Sequence, residues 1–285
     1  MRILFITDGK CDFLHNAIFH GARTLLGENV IDDKKLWHLY DSCTDEMWNK
    51  GMHRTNLFTL FRKLSDLNVD RTNISQKILD RYFDKIIYGN IHRNKDYMDE
   101  VTKSYNRNDI IMLDGEDHQE IDYHMAHFGR YYKRELITPC NQVSPIGFSI
   151  PEELIVPIKY DYIKKDRSTM IPKPNHDQSS YIYTNEDDYY NEYKHSKFAM
   201  THRKGGWDCL RHYEILMNGC IPLFPDLSFC PKYTMTRFPK RIIAECNRLY
   251  LDEKLSESDY NEYREYLLDY TRNFLTTTAM FQSLI

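Results

Sequence analysis

Short apolar runs that close on turn residues alternate with stretches of helical spacing along the first part of the chain. Arg2–Thr7 is apolar and closes on Asp8-Gly9, the mark of a buried strand and its turn. Leu14, Ile18, Ala22, Leu25 and Leu26 then recur at helical spacing, with Gly27 as a stop. Two further runs follow, Lys85–Tyr88 closed by Gly89 and Ile110–Leu113 closed by Asp114-Gly115. Helical stretches precede them at Ser75–Phe83 and Asp96–Tyr105. Strands alternating with helices predict a parallel sheet of α/β type. Tyr131–Ile150, which carries Pro139, Pro145 and Gly147, reads as the last strand of this unit plus a crossing. Tyr160–Ser180 is polar, contains Pro172 and Pro174, and reads as loop-rich.

The alternation then resumes. Lys197–Thr201 reads as a strand and Asp208–Met217 as a helix with Leu210, Tyr213, Ile215 and Leu216 as its apolar set. Asp208 is the expected N-cap and Asn218-Gly219 the left-handed stop. Cys220–Phe224 is the next strand, and Tyr260–Phe274 an amphipathic helix. The expected architecture is two Rossmann-like units, residues 1–150 and 151–285, with a cleft between them and the terminal helix free to pack back on the first. Ligands of such sheets sit beyond the carboxyl ends of the strands. Asp8-Gly9, Asn90–Arg93, Asp114–His118 and His202–Trp207 occupy those positions.

Charge and cysteines narrow the class. The net charge is −4 and the basic residues are scattered, so nothing favours nucleic acid as a partner. The seven cysteines are odd in number, far apart and without a CxxC pair, which suits free thiols in a reducing compartment. The opening apolar run is too short for a signal peptide, and no stretch approaches the ~20 apolar residues of a membrane span. A soluble, cytoplasmic protein is expected; the oligomeric state is not legible.

The chemistry concentrates between Ser196 and Leu223. A strand ends at Thr201, and the basic, glycine-containing loop His202-Arg203-Lys204-Gly205-Gly206-Trp207 leads to Asp208 and a helix. Glycines let backbone N–H groups approach a phosphate, and the helix N-terminus adds partial positive charge. Arg211 and Glu214 share a helix face. A guanidinium suits phosphate oxygens and a carboxylate suits a ribose diol, so together they describe a nucleoside-diphosphate site. A plain turn at Gly205-Gly206 and a surface ion pair between Arg211 and Glu214 is the other reading of the same residues.

Arg211, Glu214 three residues on, and Gly219-Cys220-Ile221-Pro222 after a short helix resemble the donor signature of the exostosin-like glycosyltransferases, in their bacterial or large-DNA-virus branch. Ser196-Lys197-Phe198 and Arg203 with its glycines fit the same pattern, as do Tyr132–Leu136, Pro145–Pro151, Asp12–Asn16 and Leu36–Tyr40 more loosely. The chain departs from it at His202, Cys209-Leu210 and Ile215, and Gly206 stands where many such enzymes carry a glutamate. The resemblance implies a GT-B fold and inverting transfer from a nucleotide-sugar donor to a glycan hydroxyl. It implies that Glu214 binds the donor ribose and that Arg203 and Arg211 hold the diphosphate or position the loop, with Gly205, Gly206, Trp207 and Asp208 in the same donor segment. The nucleotide sugar is a substrate, so no cofactor is expected.

An inverting enzyme of this kind needs one general base near the acceptor and no dedicated metal if cations and N–H groups hold the leaving diphosphate. Glu186-Asp187-Asp188 is no convincing metal motif, since no apolar strand precedes it. Asp12, His15, Asp114, Glu116, Asp117 and His118 follow predicted strand ends and are the candidate bases. Asp12 and Asp117 are favoured because Asp114 belongs to a turn. Arg93, Asp114, His118 and Arg134 are expected to support the acceptor. Two other functions stay open: a metal-dependent hydrolase built on Asp114, Asp117, His124 and His127, and a non-catalytic sugar-binding module.

Overall fold

The computed structural model describes residues 1–47, 58–158, 164–170 and 182–285. Six short strands, β1 (Ile3–Ile6), β2 (Val30–Asp32), β3 (Lys85–Tyr88), β4 (Ile110–Asp114), β5 (Arg130–Lys133) and β6 (Val143–Pro145), form one sheet in the order β2-β1-β3-β4-β5-β6. Every neighbouring pair is parallel. The apolar runs of β1, β3 and β4 are nearly continuous because both faces are covered. Ile3, Phe5, Ile87, Ile111 and Leu113 enter one apolar cluster, while Leu4, Ile6, Ile86, Tyr88, Ile110 and Met112 enter another. Helix α1 (Phe13–Leu26) covers the first face. Helices α2 (Ile74–Leu79), α3 (Met98–Ser104) and α4 (Tyr123–Phe128) cover the second through Ile74, Ile78, Val101 and Met125. The protein therefore has a Rossmann-like α/β fold.

A second parallel sheet has three strands, β7 (Lys165–Arg167), β8 (Ser196–Met200) and β9 (Ile221–Leu223), in that order. Around it lie α5 (Glu186–Lys194), α6 (Leu210–Met217), α7 (Lys240–Leu251) and α8 (Glu257–Phe274). The apolar cluster on the first face of the large sheet continues through Phe148, Ile150 and Val156 to Phe198, Ile215 and Ile221. Gly219, at φ 64°, ends α6 as the sequence predicts.

The end of the chain returns to the first sheet through α9 (Thr277–Gln282), a helix absent from the sequence reading, rather than through the helix expected at Tyr260–Phe274. Ile150 N–H donates to Leu275 O at 3.1 Å and Thr277 N–H to Ile150 O at 2.8 Å. The backbones of α1 and α9 come so close that a Cβ on Gly21 would overlap the Thr277 carbonyl.

Three expectations are corrected. Tyr131–Ile150 holds two strands, β5 and β6, because Pro145 sits at the end of an edge strand where its missing N–H costs no ladder bond. Tyr160–Ser180 contains β7, whose residues are all exposed and so carry no apolar signal; residues 160–163 and 171–180 of that stretch lie outside the described residues. Helix α6 starts at Leu210 with Cys209 as its cap residue, not Asp208, whose carboxylate is engaged elsewhere. All seven cysteines are free thiols. Among the described residues no helix is long and apolar enough to cross a membrane.

Candidate functional site

In the strand order β2-β1-β3 the chain leaves β1 to one side and returns on the other, which opens a crevice at the carboxyl ends of β1 and β3. Asp12, Asn90, Arg93 and Glu116 meet there. Asn90 Nδ2 donates to Asp12 Oδ2 at 2.8 Å and to Glu116 Oε1 at 3.0 Å. The Arg93 guanidinium lies 3.3 Å from Glu116 and 3.7 Å from Asp12. Asp12 is not free of structural duty, contrary to the reason for favouring it. Its Oδ1 accepts from Leu14 N–H at 3.0 Å and His15 N–H at 3.1 Å, capping α1. Glu116 keeps part of its carboxylate open to solvent.

His15 does not face the crevice. It is fully buried against Phe5 and Gly89, and burial lowers its pKa, so it is neutral and out of reach of an acceptor. Asp114 is also enclosed. It accepts from Tyr131 OH at 2.6 Å and Lys133 Nζ at 2.9 Å, with His92 Nε2 at 3.0 Å. Burial pushes its carboxyl up, but these partners hold it below the ordinary range. His92 is raised in turn by its bond to Asp114, and His118 packs edge-on against the His92 ring. The turn role expected for Asp114 is thus part of a buried network. Among the described residues no three His, Cys, Asp or Glu are grouped as metal ligands would be, so the set Asp114, Asp117, His124 and His127 is not assembled.

Arg134, buried just past β5, joins this edge to the loop before α6. Its Nε donates to Gly115 O at 2.9 Å, Nη1 to Glu135 Oε1 at 2.8 Å and to Asp208 O at 2.5 Å, and Nη2 to Asp117 Oδ1. The guanidinium also lies over the Phe148 ring at 4.7 Å. Glu135 accepts from Trp207 N–H at 3.0 Å and Asp208 N–H at 2.9 Å. The loop N–H groups ahead of α6 are thus satisfied by a carboxylate from the first sheet. Asp208 instead accepts from Phe148 N–H at 2.8 Å and Tyr213 OH at 2.7 Å, and burial pushes its carboxyl up to about 6. The glycines fit this junction. A Cβ on Gly205 would overlap Asp117 Oδ2, and one on Gly206 would overlap Glu135 Oε1. Asp117, mostly exposed, therefore lies directly beside the Gly205 loop. Exposed Arg203 sits over the Trp207 ring at 5.3 Å.

Arg211 and Glu214 are both buried on α6, which removes the surface-ion-pair reading. Glu214 accepts hydrogen bonds from Tyr189 OH at 2.6 Å and from Thr59 Oγ1, and burial raises its pKa. His212 between them is fully buried, with Nδ1 2.9 Å from Thr201 Oγ1 and Nε2 3.0 Å from Trp207 O; burial lowers it to about 3.

Thr59 comes from the segment after β2, far away in sequence. Its N–H donates to Glu186 Oε1 at 2.8 Å and its hydroxyl lies 2.7 Å from Tyr190 OH. Phe58 packs on the Tyr189 ring at 5.4 Å with a 33° tilt, and Lys63 pairs with Glu186 at 2.7 Å. Leu60 N–H donates to Phe58 O at 2.9 Å across Thr59, whose φ is 78°. This is a γ-turn on a β-branched residue, a conformation costing about 1–3 kcal/mol.

Sequence reasoning missed Glu135, Asn90 as a bridging group, Tyr189, Tyr190, Glu186 and Thr59. Glu135 lies two residues past β5 and would have been found by the strand-end rule had that strand been separated from its crossing. The tyrosines stand on α5, whose start is marked by Asn185 accepting from Asp188 N–H at 2.8 Å, a local cap pattern. Glu186-Asp187-Asp188 form the first turn of that helix. Thr59 carries no local signal. The chain matches no protein-family model, and no curated protein matches it in sequence.

Proposed function

We propose that the chain is a nucleotide-sugar-dependent, inverting glycosyltransferase of the exostosin-like, GT-B kind, with residues 1–150 holding a glycan acceptor and 151–285 the donor. The observation that carries this reading is Glu214, a buried carboxylate whose direct hydrogen bonds come from two hydroxyls, Tyr189 and Thr59. A ribose diol offers the same donors. Arg203, Lys204 and the N–H groups opening α6 supply positive charge for a diphosphate next to it.

Asp117 is the proposed base. Asp12 is spent on capping, Asp114 is enclosed and His15 is buried, whereas Asp117 is open and adjoins the Gly205 loop. Its carboxylate takes the proton of the acceptor hydroxyl as that oxygen bonds to the anomeric carbon. The bond from that carbon to the phosphate oxygen breaks, and the nucleoside diphosphate leaves with the electron pair. Arg134 fixes the direction in which Asp117 points.

Calorimetry with uridine, guanosine and adenosine diphosphates, together with turnover on a panel of nucleotide sugars and glycans, tests both assignments. Glu214→Ala is expected to weaken diphosphate binding by roughly 10- to 100-fold, the worth of charged hydrogen bonds. Asp117→Asn is expected to slow transfer by roughly two to four orders of magnitude while binding stays intact. Unchanged affinity in Glu214→Ala moves the donor site elsewhere.

A further inference from the structure

The Glu214 pocket is occupied by the chain itself. We propose that Phe58 and Thr59 are an internal stand-in for a nucleoside, the ring on Tyr189 where a base would stack and the hydroxyl on Glu214 where a ribose hydroxyl would bind, and that a nucleoside diphosphate must displace them. This rests on Glu214 being the ribose ligand.

Four observations carry it. The Phe58 and Tyr189 rings face each other at a modest tilt, as a base on an aromatic side chain would. The Thr59 hydroxyl reaches both Glu214 and Tyr190, giving the bonding pattern of a sugar hydroxyl rather than of a core threonine. Thr59 takes the left-handed φ of 78°, which a β-branched residue avoids unless its contacts enforce it. Leu60 and Phe61 beyond it are buried in the core, but the contacts of Thr59 itself are polar: its N–H on Glu186, a residue also paired with Lys63, and the two hydroxyl bonds. A turn that is unfavourable by itself and held by exchangeable polar bonds is suited to leave when a better ligand arrives. The pocket would then accept a flat base followed by a vicinal diol, and the seated turn would weaken every donor by the same factor.

Two measurements test this. In Phe58→Ala/Thr59→Ala the ring and hydroxyl are gone while the cost of the turn stays. A site open only about a tenth of the time binds about tenfold more weakly than its open form, so the double variant is expected to bind nucleoside diphosphates about tenfold tighter. On the unaltered chain, hydrogen exchange of the Thr59, Leu60 and Arg62 amides is expected to speed up when uridine, guanosine or adenosine diphosphate is added, whereas ligands ordinarily slow exchange. If binding depends on Glu214 but is no tighter in the double variant, and exchange at these amides is unchanged or slower, the stand-in is refuted while the donor site survives. If neither chain binds any of the three diphosphates, the stand-in and the donor site fall together.

Discussion

The carboxylates beside the two sheets differ in their partners. On the first, Asp114 is met by Lys133 and His92, and Asp12 and Glu116 by Arg93. On the second, Glu214 is met by the hydroxyls of Thr59 and Tyr189. Cations hold a carboxylate charged and fixed; hydroxyls satisfy it without cancelling its charge, and another molecule's hydroxyls can take their place. The pKa directions follow, with Asp114 lowered and Glu214 raised. The first edge is thus fixed mainly by ion pairs and Glu214 by neutral hydrogen bonds.

The sharpest way to break this contrast is to make the same isosteric change at both edges. Asp114→Asn leaves the fully buried Lys133 ammonium without its counter-charge and is expected to cost about 3–5 kcal/mol. Glu214→Gln removes a charge that burial opposes and keeps a group able to hydrogen-bond, so its cost is expected to stay within about 1 kcal/mol. Urea denaturation of both variants decides it; equal losses would erase the distinction.

Acid should expose a weakness common to both halves. His38 and His212 are each lowered to about 3 by burial, from an ordinary 6.5. The unfolded chain binds their protons first, so their neutrality favours the fold above pH 6.5 and that advantage shrinks as the pH falls toward 3. Each histidine accounts for a loss of about 2 kcal/mol between pH 7 and pH 5. Asp208 and Asp33, each raised to about 6 by burial, work the other way: their charged forms penalise the fold, and protonation returns about 1 kcal/mol each over the same interval. A net fall of about 2 kcal/mol is therefore expected. Equal or greater stability at pH 5 would mean that these imidazoles are not kept neutral, and His38→Gln and His212→Gln would apportion the effect.

The smallest expected effect concerns the junction between the edges. An alanine at Gly205 meets the end of Asp117, an exposed side chain that can swing aside; at Gly206 it meets Glu135, locked between Arg134 and two N–H groups. Gly206→Ala is expected to lower stability by about 1–3 kcal/mol and Gly205→Ala by less than about 1 kcal/mol. The reverse order, read from thermal unfolding, would show that Glu135 yields more easily than Asp117.

How much could be read beforehand depended on the range of the forces involved. β1, β3 and β4 were legible because buried parallel strands are apolar runs, and α1 and α6 because a periodic face ends on glycine. The strand-end rule located Asp12, Arg93, Asp114, Glu116 and Asp117. It could not say that Asp12 would be spent on Leu14 and His15, or that His15 would turn inward. The N-cap expected of Asp208 is a local preference, and it lost to Phe148, sixty residues away, whose N–H takes the Asp208 carboxylate together with the Tyr213 hydroxyl. β7, wholly exposed, and Thr59, seated by Glu186, Tyr190 and Glu214, are determined by residues remote in sequence. The fold's frame was thus legible, and the fine assignment of carboxylates was not.

The close approach of α1 and α9 bears on how the molecule is made. Gly21 leaves the ribosome before the Thr277 backbone that covers it, which comes more than two hundred and fifty residues later. Until then the α1 face bearing Ala17 and Gly21 has no α9 against it, and β1 and β3 can pair only beneath a half-dressed layer. The large sheet therefore cannot reach its final state by vectorial folding from the N-terminus alone. Its completion waits on Thr277–Gln282, and a growing chain must carry that bare surface until they have been made.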